Sequence, residues 1–270
     1  MNERMTGKTA LVTGGAVGIG RGIALALASC GYDLAISHFE EEAQAEAVAE
    51  RVAADYGRSC FIFQADLTKA ESPARLVEQA AWKLGRLDVL VNNAGISKFQ
   101  SVIKLSAAEF DRIVHLNFRA PLLAMQAAAS HMIERGIRGS IVNIASTRSE
   151  RAYAGDAVYG GSKAALSRAT QSAALDLAPH GIRVNCVAPG AIASREGDAI
   201  RRHYEALGRK IPLGRAGTPA DIGEAVAWLV SDRASYITGT TLRVDGGLIL
   251  PGMPEDTSPE AGYGWGRPRV

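Results

Sequence analysis

Residues 8–20 read KTALVTGGAVGIG: an aliphatic run that ends at Gly14-Gly15, followed by Gly18 and Gly20. A short apolar run bounded by glycine has the length and composition of a buried strand entering a turn. Ile19–Ser29 is rich in alanine and leucine and reads as a helix, closed by Gly31. Glycines placed between a first strand and a first helix permit a tight turn, close helix packing and close backbone approach to a pyrophosphate. The helix N-terminus adds N–H groups and the positive end of a dipole.

The alternation continues outward from this unit. Further strands are expected at Asp33–Ser37, Cys60–Gln64, Leu87–Val91, Gly139–Ile144, Ile182–Ala188 and Thr240–Val244. Helices are expected at Glu40–Tyr56, Ser72–Leu84, a long segment from Ser106 through Asn117 and Pro121, Ala157–Ala178, and Thr218 to about Ser231. Ser106 and Glu109 have the spacing of a capping box. Strand and helix in alternation predict an α/β chain: a Rossmann-type doubly wound parallel sheet of about seven strands, with helices on both faces. Residues 191–217 are polar and expected to be irregular. Residues 1–250 are expected to form one domain. Residues 251–270, with Tyr263 and Trp265 among prolines and glycines, are expected to be a tail that is flexible or docked on a neighbouring subunit.

Composition bounds the function. The 270 residues are 47% hydrophobic and 21% charged, which is ordinary for a soluble globular chain. A net charge of +2 gives no support to a nucleic-acid or membrane partner. No apolar run approaches the length of a membrane span. The three cysteines, Cys30, Cys60 and Cys186, are scattered and suit a reducing compartment, so a cytoplasmic protein without disulfides or metal is expected.

Residues 146–163, STRSERAYAGDAVYGGSK, carry the chemistry. Tyr159 and Lys163 stand at i and i+4, on one helical face. An ammonium within a few ångströms favours the phenolate and is expected to pull the tyrosine down from its ordinary value near 10. Ser146, brought in from a strand end, can hydrogen-bond a substrate oxygen. The set suits proton transfer to and from an alcohol or carbonyl oxygen.

Four motifs now stand in order: TGGAVGIG at 13–20, NNAG at 92–95, the serine–tyrosine–lysine set, and PG at 189–190. In this the chain resembles the short-chain dehydrogenase/reductase family over about residues 7–247. Its C-terminal run AWLVSDRASYITGTTLRVDGG (227–247) looks most like bacterial glucose dehydrogenases and 3-oxoacyl-carrier-protein reductases. The resemblance implies a nicotinamide cofactor across the carboxyl ends of the strands. It implies Tyr159 as acid/base, Ser146 on the substrate oxygen, and Lys163 on the nicotinamide ribose. It implies a fourth residue, Asn117, whose main-chain carbonyl holds a relay water. Pro121 supports this from the sequence itself, because it has no N–H to occupy the Asn117 carbonyl in a helix.

The resemblance further implies Gly14, Gly18, Ile19 and Gly20 at the pyrophosphate, and Asp66 with Leu67 at the adenine. Asn92, Ala94 and Gly95 are implied at the adenosine and ribose side, and Pro189, Gly190, Ile192 and Ser194 at the nicotinamide. Asn92 can equally serve the sheet alone. The second strand ends Ser37-His38-Phe39 without a carboxylate, so a 2′-phosphate is not repelled there, and Ser37 and His38 can donate to it. Glu40 and Glu41 oppose it. The balance favours NADP(H) over NAD(H).

Loops above the strand ends are charged: Lys98 and Gln100, then Arg148, Glu150 and Arg151, then Arg195 and Glu196. Such a lining suits a small polar ketone, sugar or polyol, with Arg148, Glu150 and Lys98 as candidate substrate residues. Two alternatives stand beside this reading. One is a 3-oxoacyl-[acyl-carrier-protein] reductase, with Arg201, Arg202, Arg209 and Lys210 as a patch for an acidic carrier. The other is a non-catalytic nucleotide-sensing regulator on the same fold. The resemblance also implies a homotetramer built on the long helices around 106–134 and 157–178.

Overall fold

The computed structural model describes residues 7–194 and 197–250. Seven parallel strands form one sheet in the order β3-β2-β1-β4-β5-β6-β7. They are β1 (Thr9–Val12), β2 (Asp33–His38), β3 (Cys60–Gln64), β4 (Val89–Asn92), β5 (Ser140–Ile144), β6 (Arg183–Pro189) and β7 (Thr241–Val244). The central strands are buried along their whole length, as the near-continuous aliphatic runs of a sheet covered on both faces require.

Helices α1 (Gly18–Ser29), α2 (Glu42–Tyr56) and α8 (Pro219–Val230) cover one face. Ile23, Leu27, Val48 and Val226 pack there on Val12 and Ile36. Helices α3 (Ser72–Leu84), α5 (Ala120–Glu134) and α6 (Ala157–Leu177) cover the other, where Leu76, Met125 and Ala174 join Leu11, Leu90 and Ile141. β1 has β2 on one side and β4 on the other. The winding reverses there, opening a crevice at the carboxyl ends of the strands.

Three expectations change. The segment from Ser106 is interrupted: α4 (Ala107–Val114) passes through a π-helical turn at His115–Arg119 before α5 begins. The Ala120 N–H reaches back to the His115 carbonyl, and Pro121 has no N–H for the carbonyl of Asn117, so the ladder slips by one residue just before the proline. The Ser106 hydroxyl accepts from the Glu109 N–H at 3.3 Å. The Glu109 carboxylate pairs instead with Lys98, so only half of the capping box forms.

The third change lies within residues 191–217, where an irregular stretch was expected. Asp198–Gly208 is a helix, α7. Ile200, Tyr204 and Leu207 form its half-buried stripe, and Arg201 pairs with Asp198 at 3.1 Å and Glu205 at 3.9 Å along the exposed side. The i, i+4, i+7 spacing of the stripe is helical; the surrounding charge obscures it. Arg195, Glu196 and the 251–270 tail lie outside the described residues.

Candidate active site

The glycine turn is held from beneath. Gly14 and Gly18 take φ of 63° and 54°, which side chains disfavour. A Cβ on Gly20 would lie 1.9 Å from the Gly14 carbonyl oxygen, so α1 can start this close to β1 only with glycine there. The Thr13 hydroxyl accepts from the N–H groups of Asn93 and Ala94, at 3.0 Å each. The Asn93 amide donates to the carbonyls of Thr13 and Gly14 at 2.9 and 3.0 Å. The end of β4 thus fastens the loop that follows β1.

Val17 caps α1 without a side-chain hydrogen bond, and no acid occupies its first turn. Ser194 overhangs the turn, its Cβ 3.3 Å from where a Cβ on Gly18 would stand. A concave backbone, an uncapped helix N-terminus and no neighbouring carboxylate in that turn fit a pyrophosphate. Gly190 is needed for packing, since a Cβ there would meet the Asp245 Cβ at 2.6 Å. Ile192 is buried and bridges to Gly217.

Other implied cofactor residues are engaged elsewhere. The Asn92 amide donates to the Pro121 carbonyl at 3.2 Å and to Asn143 Oδ1 at 2.8 Å, and Asn143 donates to Thr170. This buried amide chain ties the sheet to α5 and α6, so the side chain of Asn92 does not line the crevice. Asp66 Oδ1 accepts from the Thr68 N–H at 3.0 Å and hydroxyl at 2.6 Å, and the hydroxyl bond above all holds its carboxyl below the ordinary range. Leu67 beside it is buried.

The end of β2 departs from expectation. The Ser37 hydroxyl is buried and accepts from the Gly14 N–H at 3.2 Å. His38 is buried too, with its Nδ1 unpartnered among the described residues. Both side chains are thus turned into the protein rather than out to the surface of the turn. The turn beyond them is closed by Glu41, whose carboxylate accepts from the N–H groups of Phe39 and Glu40 at 3.1 and 3.2 Å.

Across the crevice, Ser146 follows β5 directly and Tyr159 lies in the first turn of α6. The Ser146 oxygen accepts from the Arg148 N–H at 3.2 Å, and its hydroxyl stands beside the Tyr159 phenol. Burial raises the phenol above its ordinary value; the Ser146 hydroxyl and the charge of Arg148 pull it down, and Asp156 pushes it up. The expected pull from Lys163 is not among these influences. That ammonium is wholly buried, donates to the Ile144 carbonyl at 2.8 Å, and is itself lowered to about 8 by desolvation.

Asn117 is completely buried in the π turn. Its amide pairs with the backbone of Ile96, accepting from the N–H and donating to the carbonyl, both at 2.9 Å. A Cβ on Gly95 would lie 3.1 Å from Asn117 Oδ1 and 3.5 Å from Lys163 Nζ, so glycine lets the β4 loop pass between the two. Sequence reading valued Asn117 for its carbonyl; its side chain fixes the β4 loop as well.

The three candidate substrate charges are all paired: Lys98 with Glu109, Arg148 with Asp156 at 3.0 Å, and Glu150 with Arg243 at 3.1 Å. Two aromatic rings share this region. Phe99 lies edge-on to Tyr159, with centroids 5.7 Å apart, and the Arg148 guanidinium lies over both Phe99 and Tyr153, 4.3 Å from each centroid. Phe99, Asp156 and Asn93 escaped the sequence reading. Asn93 sits inside the NNAG motif, whereas nothing in the spacing of Phe99 and Asp156 marks them.

A serine, a half-buried tyrosine and a buried lysine beside a glycine cradle, on a sheet of this order, define an oxidoreductase architecture. Residues 14–249 match the protein family described as "Enoyl-(Acyl carrier protein) reductase", and the chain belongs to the short-chain dehydrogenase/reductase family. It is 39% identical over 244 residues to a 3-oxoacyl-[acyl-carrier-protein] reductase of Staphylococcus aureus, covering 90% of this chain and 98% of that protein. It is 33% identical to glucose 1-dehydrogenase 2 of Bacillus subtilis, covering 93% and 98%. Among solved structures, the acetoin dehydrogenase of Salmonella typhimurium superposes with a TM-score of 0.85 at 37% identity, covering 91% of this chain and 97% of that one. No helix of the described residues is long and apolar enough to cross a membrane.

Proposed function

We propose that the protein interconverts a secondary alcohol and a carbonyl using a nicotinamide dinucleotide, with Tyr159 as acid/base. The observation that carries this reading is the convergence at the mouth of β5 of Ser146, Tyr159 in the first turn of α6, and the buried Lys163 one helical turn further on, whose ammonium donates to the Ile144 carbonyl. The dinucleotide supplies or accepts the hydride. Gly14, Gly18, Ile19 and Gly20 would cradle its pyrophosphate, with Ser194 beside Gly18 and buried Ile192 on the same loop. Ser146 donates to the substrate oxygen and aims it at the phenol. Tyr159 gives that oxygen a proton in reduction and takes one in oxidation. Lys163, whose ammonium donates to the Ile144 carbonyl, would hold the ribose of the nicotinamide. Asn117, whose carbonyl lacks an i+4 donor because of Pro121, offers an exit for the proton.

A small polar ketone or hydroxyketone fits better than a bulky one. The loop charges neutralise one another, and the Phe99 ring adjoins the Tyr159 ring beside the reacting oxygen. The similarity to an acetoin dehydrogenase points the same way. The second reading, a 3-oxoacyl thioester reductase, draws on the 39% identity to such an enzyme. Against it, Arg201 in the presumed carrier patch is paired within α7. Turnover of small diketones and hydroxyketones, sugars, and 3-oxoacyl thioesters, followed at the nicotinamide band, separates the two; a thioester preferred over all small ketones would establish the second.

The cofactor preference turns on the β2–α2 turn. The expectation of NADP(H) rested on Ser37 and His38, and both are buried. Glu41 places a carboxylate where a 2′-phosphate would come, and we therefore propose that NAD(H) is used at least as well as NADP(H). Comparison of kcat/KM with the two cofactors tests this, and a strong preference for NADP(H) would overturn it.

A further inference from the structure

The Arg148 guanidinium is built into the wall of the candidate site. It lies over the rings of Phe99 and Tyr153 and donates to Asp156 Oδ2 at 3.0 Å. Asp156 is almost wholly buried, and its other oxygen accepts from the Tyr153 N–H at 3.2 Å. Phe99 meets Arg148 through its face and Tyr159 as an edge-on neighbour. The loops are tied by a backbone bond from the Gln100 N–H to the Gly155 carbonyl at 2.6 Å. A buried carboxylate cannot stand uncompensated, so Asp156 and the two rings hold the Arg148 guanidinium in one place. The charge so fixed stands beside Phe99, whose ring adjoins that of Tyr159.

We propose that Arg148 is a positioning residue for Tyr159, acting through its fixed charge and through the Phe99 ring, with Asp156 as its clamp and counterweight. This rests on the assignment of Tyr159 as the acid/base. Arg148 replaces the substrate-binding role expected from the sequence, because its guanidinium is already paired and stacked.

Among the described residues, those that act on the Tyr159 phenol are Ser146, Arg148 and Asp156, all from the loop before α6. Lys163 lies on α6 itself, with its ammonium turned to the Ile144 carbonyl. Lys98, on the Phe99 loop, is paired with Glu109. Arg148 and Asp156 act on the phenol with opposite signs. Removing the cation moves ionisation to higher pH, and neutralising the carboxylate moves it to lower pH. A merely structural role predicts no such opposition.

Ultraviolet titration of the phenolate tests this on the protein alone, subtracting Tyr159→Phe to remove the other tyrosines, with circular dichroism at each pH to confirm the fold. Arg148→Met keeps a stem to lie on the rings and loses the charge; the titration of Tyr159 should rise by roughly half to one pH unit. Arg148→Lys should return it most of the way. Asp156→Asn keeps an acceptor for Tyr153 and should lower it by a similar amount. Where alkali unfolds a variant, the pH profile of alcohol oxidation is read instead, and the same opposite displacements are expected. An unmoved titration in both variants, or displacement in one direction by both, overturns the proposal. Because the titration needs no substrate, it stands apart from the function proposed above, which fails instead if Tyr159→Phe keeps its activity.

Discussion

At the scale of single residues, Lys163 shows the tension between the site and the fold. Its amino group is taken entirely out of water, with one carbonyl as the hydrogen-bond partner in view, and is lowered from 10.5 to about 8. The shift corresponds to about 3 kcal/mol charged against the folded state at neutral pH. Below pH 8 both folded and unfolded chains carry the proton and the cost is full. Between about 8 and 10.5 the folded chain releases it first, so the cost fades; above 10.5 it is gone. Lys163→Met should therefore be inactive yet more stable than the parent by about 1–3 kcal/mol near neutral pH, the gap closing as pH rises through that window, as thermal unfolding at several pH values will show. Greater stability of the parent at pH 7 would refute this. Asn117 has the opposite balance. Asn117→Ala leaves the Ile96 N–H and carbonyl without their side-chain partners and should cost about 1–3 kcal/mol in denaturant unfolding, although the main-chain carbonyl is retained.

At the scale of elements, the first strand–turn–helix unit is the most constrained part of the chain. Gly20→Ala forces α1 away from the Gly14 carbonyl, and binding of a nicotinamide dinucleotide by calorimetry should be lost even where the variant folds. Helix α8 is set by local chemistry: Thr218 and Asp221 cap it reciprocally, and Thr218→Ala should cost about 1 kcal/mol in thermal unfolding. Both units were legible in the sequence, because glycine between strand and helix and Thr-Pro-x-Asp before an apolar run each have one local meaning. The π turn was half legible. Pro121 announced a break in the hydrogen bonding at Asn117, but the inserted residue depends on how α4 and α5 pack. Helix α7 was obscured because its stripe is short and its charges pair along its own surface.

At the scale of the whole molecule, the doubly wound parallel sheet followed from alternation and right-handed crossovers, while the strand order and its reversal beside β1 came only with the structure. The site was legible where motif and strand end coincide, as at Gly14, Ser146 and Tyr159. It was not legible where the decisive contact joins distant loops: Glu41 closing its own turn, Asn92 turned into the sheet, and Arg148 drawn to Asp156 and Phe99. Which charges pair, and so which surfaces a substrate meets, is settled only once the sheet has brought the β4, β5 and β6 loops side by side. The homotetramer that the family resemblance implies belongs to the same scale, and light scattering of the full chain checks it. The most direct measurement is turnover by Tyr159→Phe with a small hydroxyketone or ketone and the preferred nicotinamide cofactor. The expected result is a loss of kcat of at least about a hundredfold with cofactor affinity retained; a variant turning over close to the parent rate would contradict Tyr159 as the acid/base.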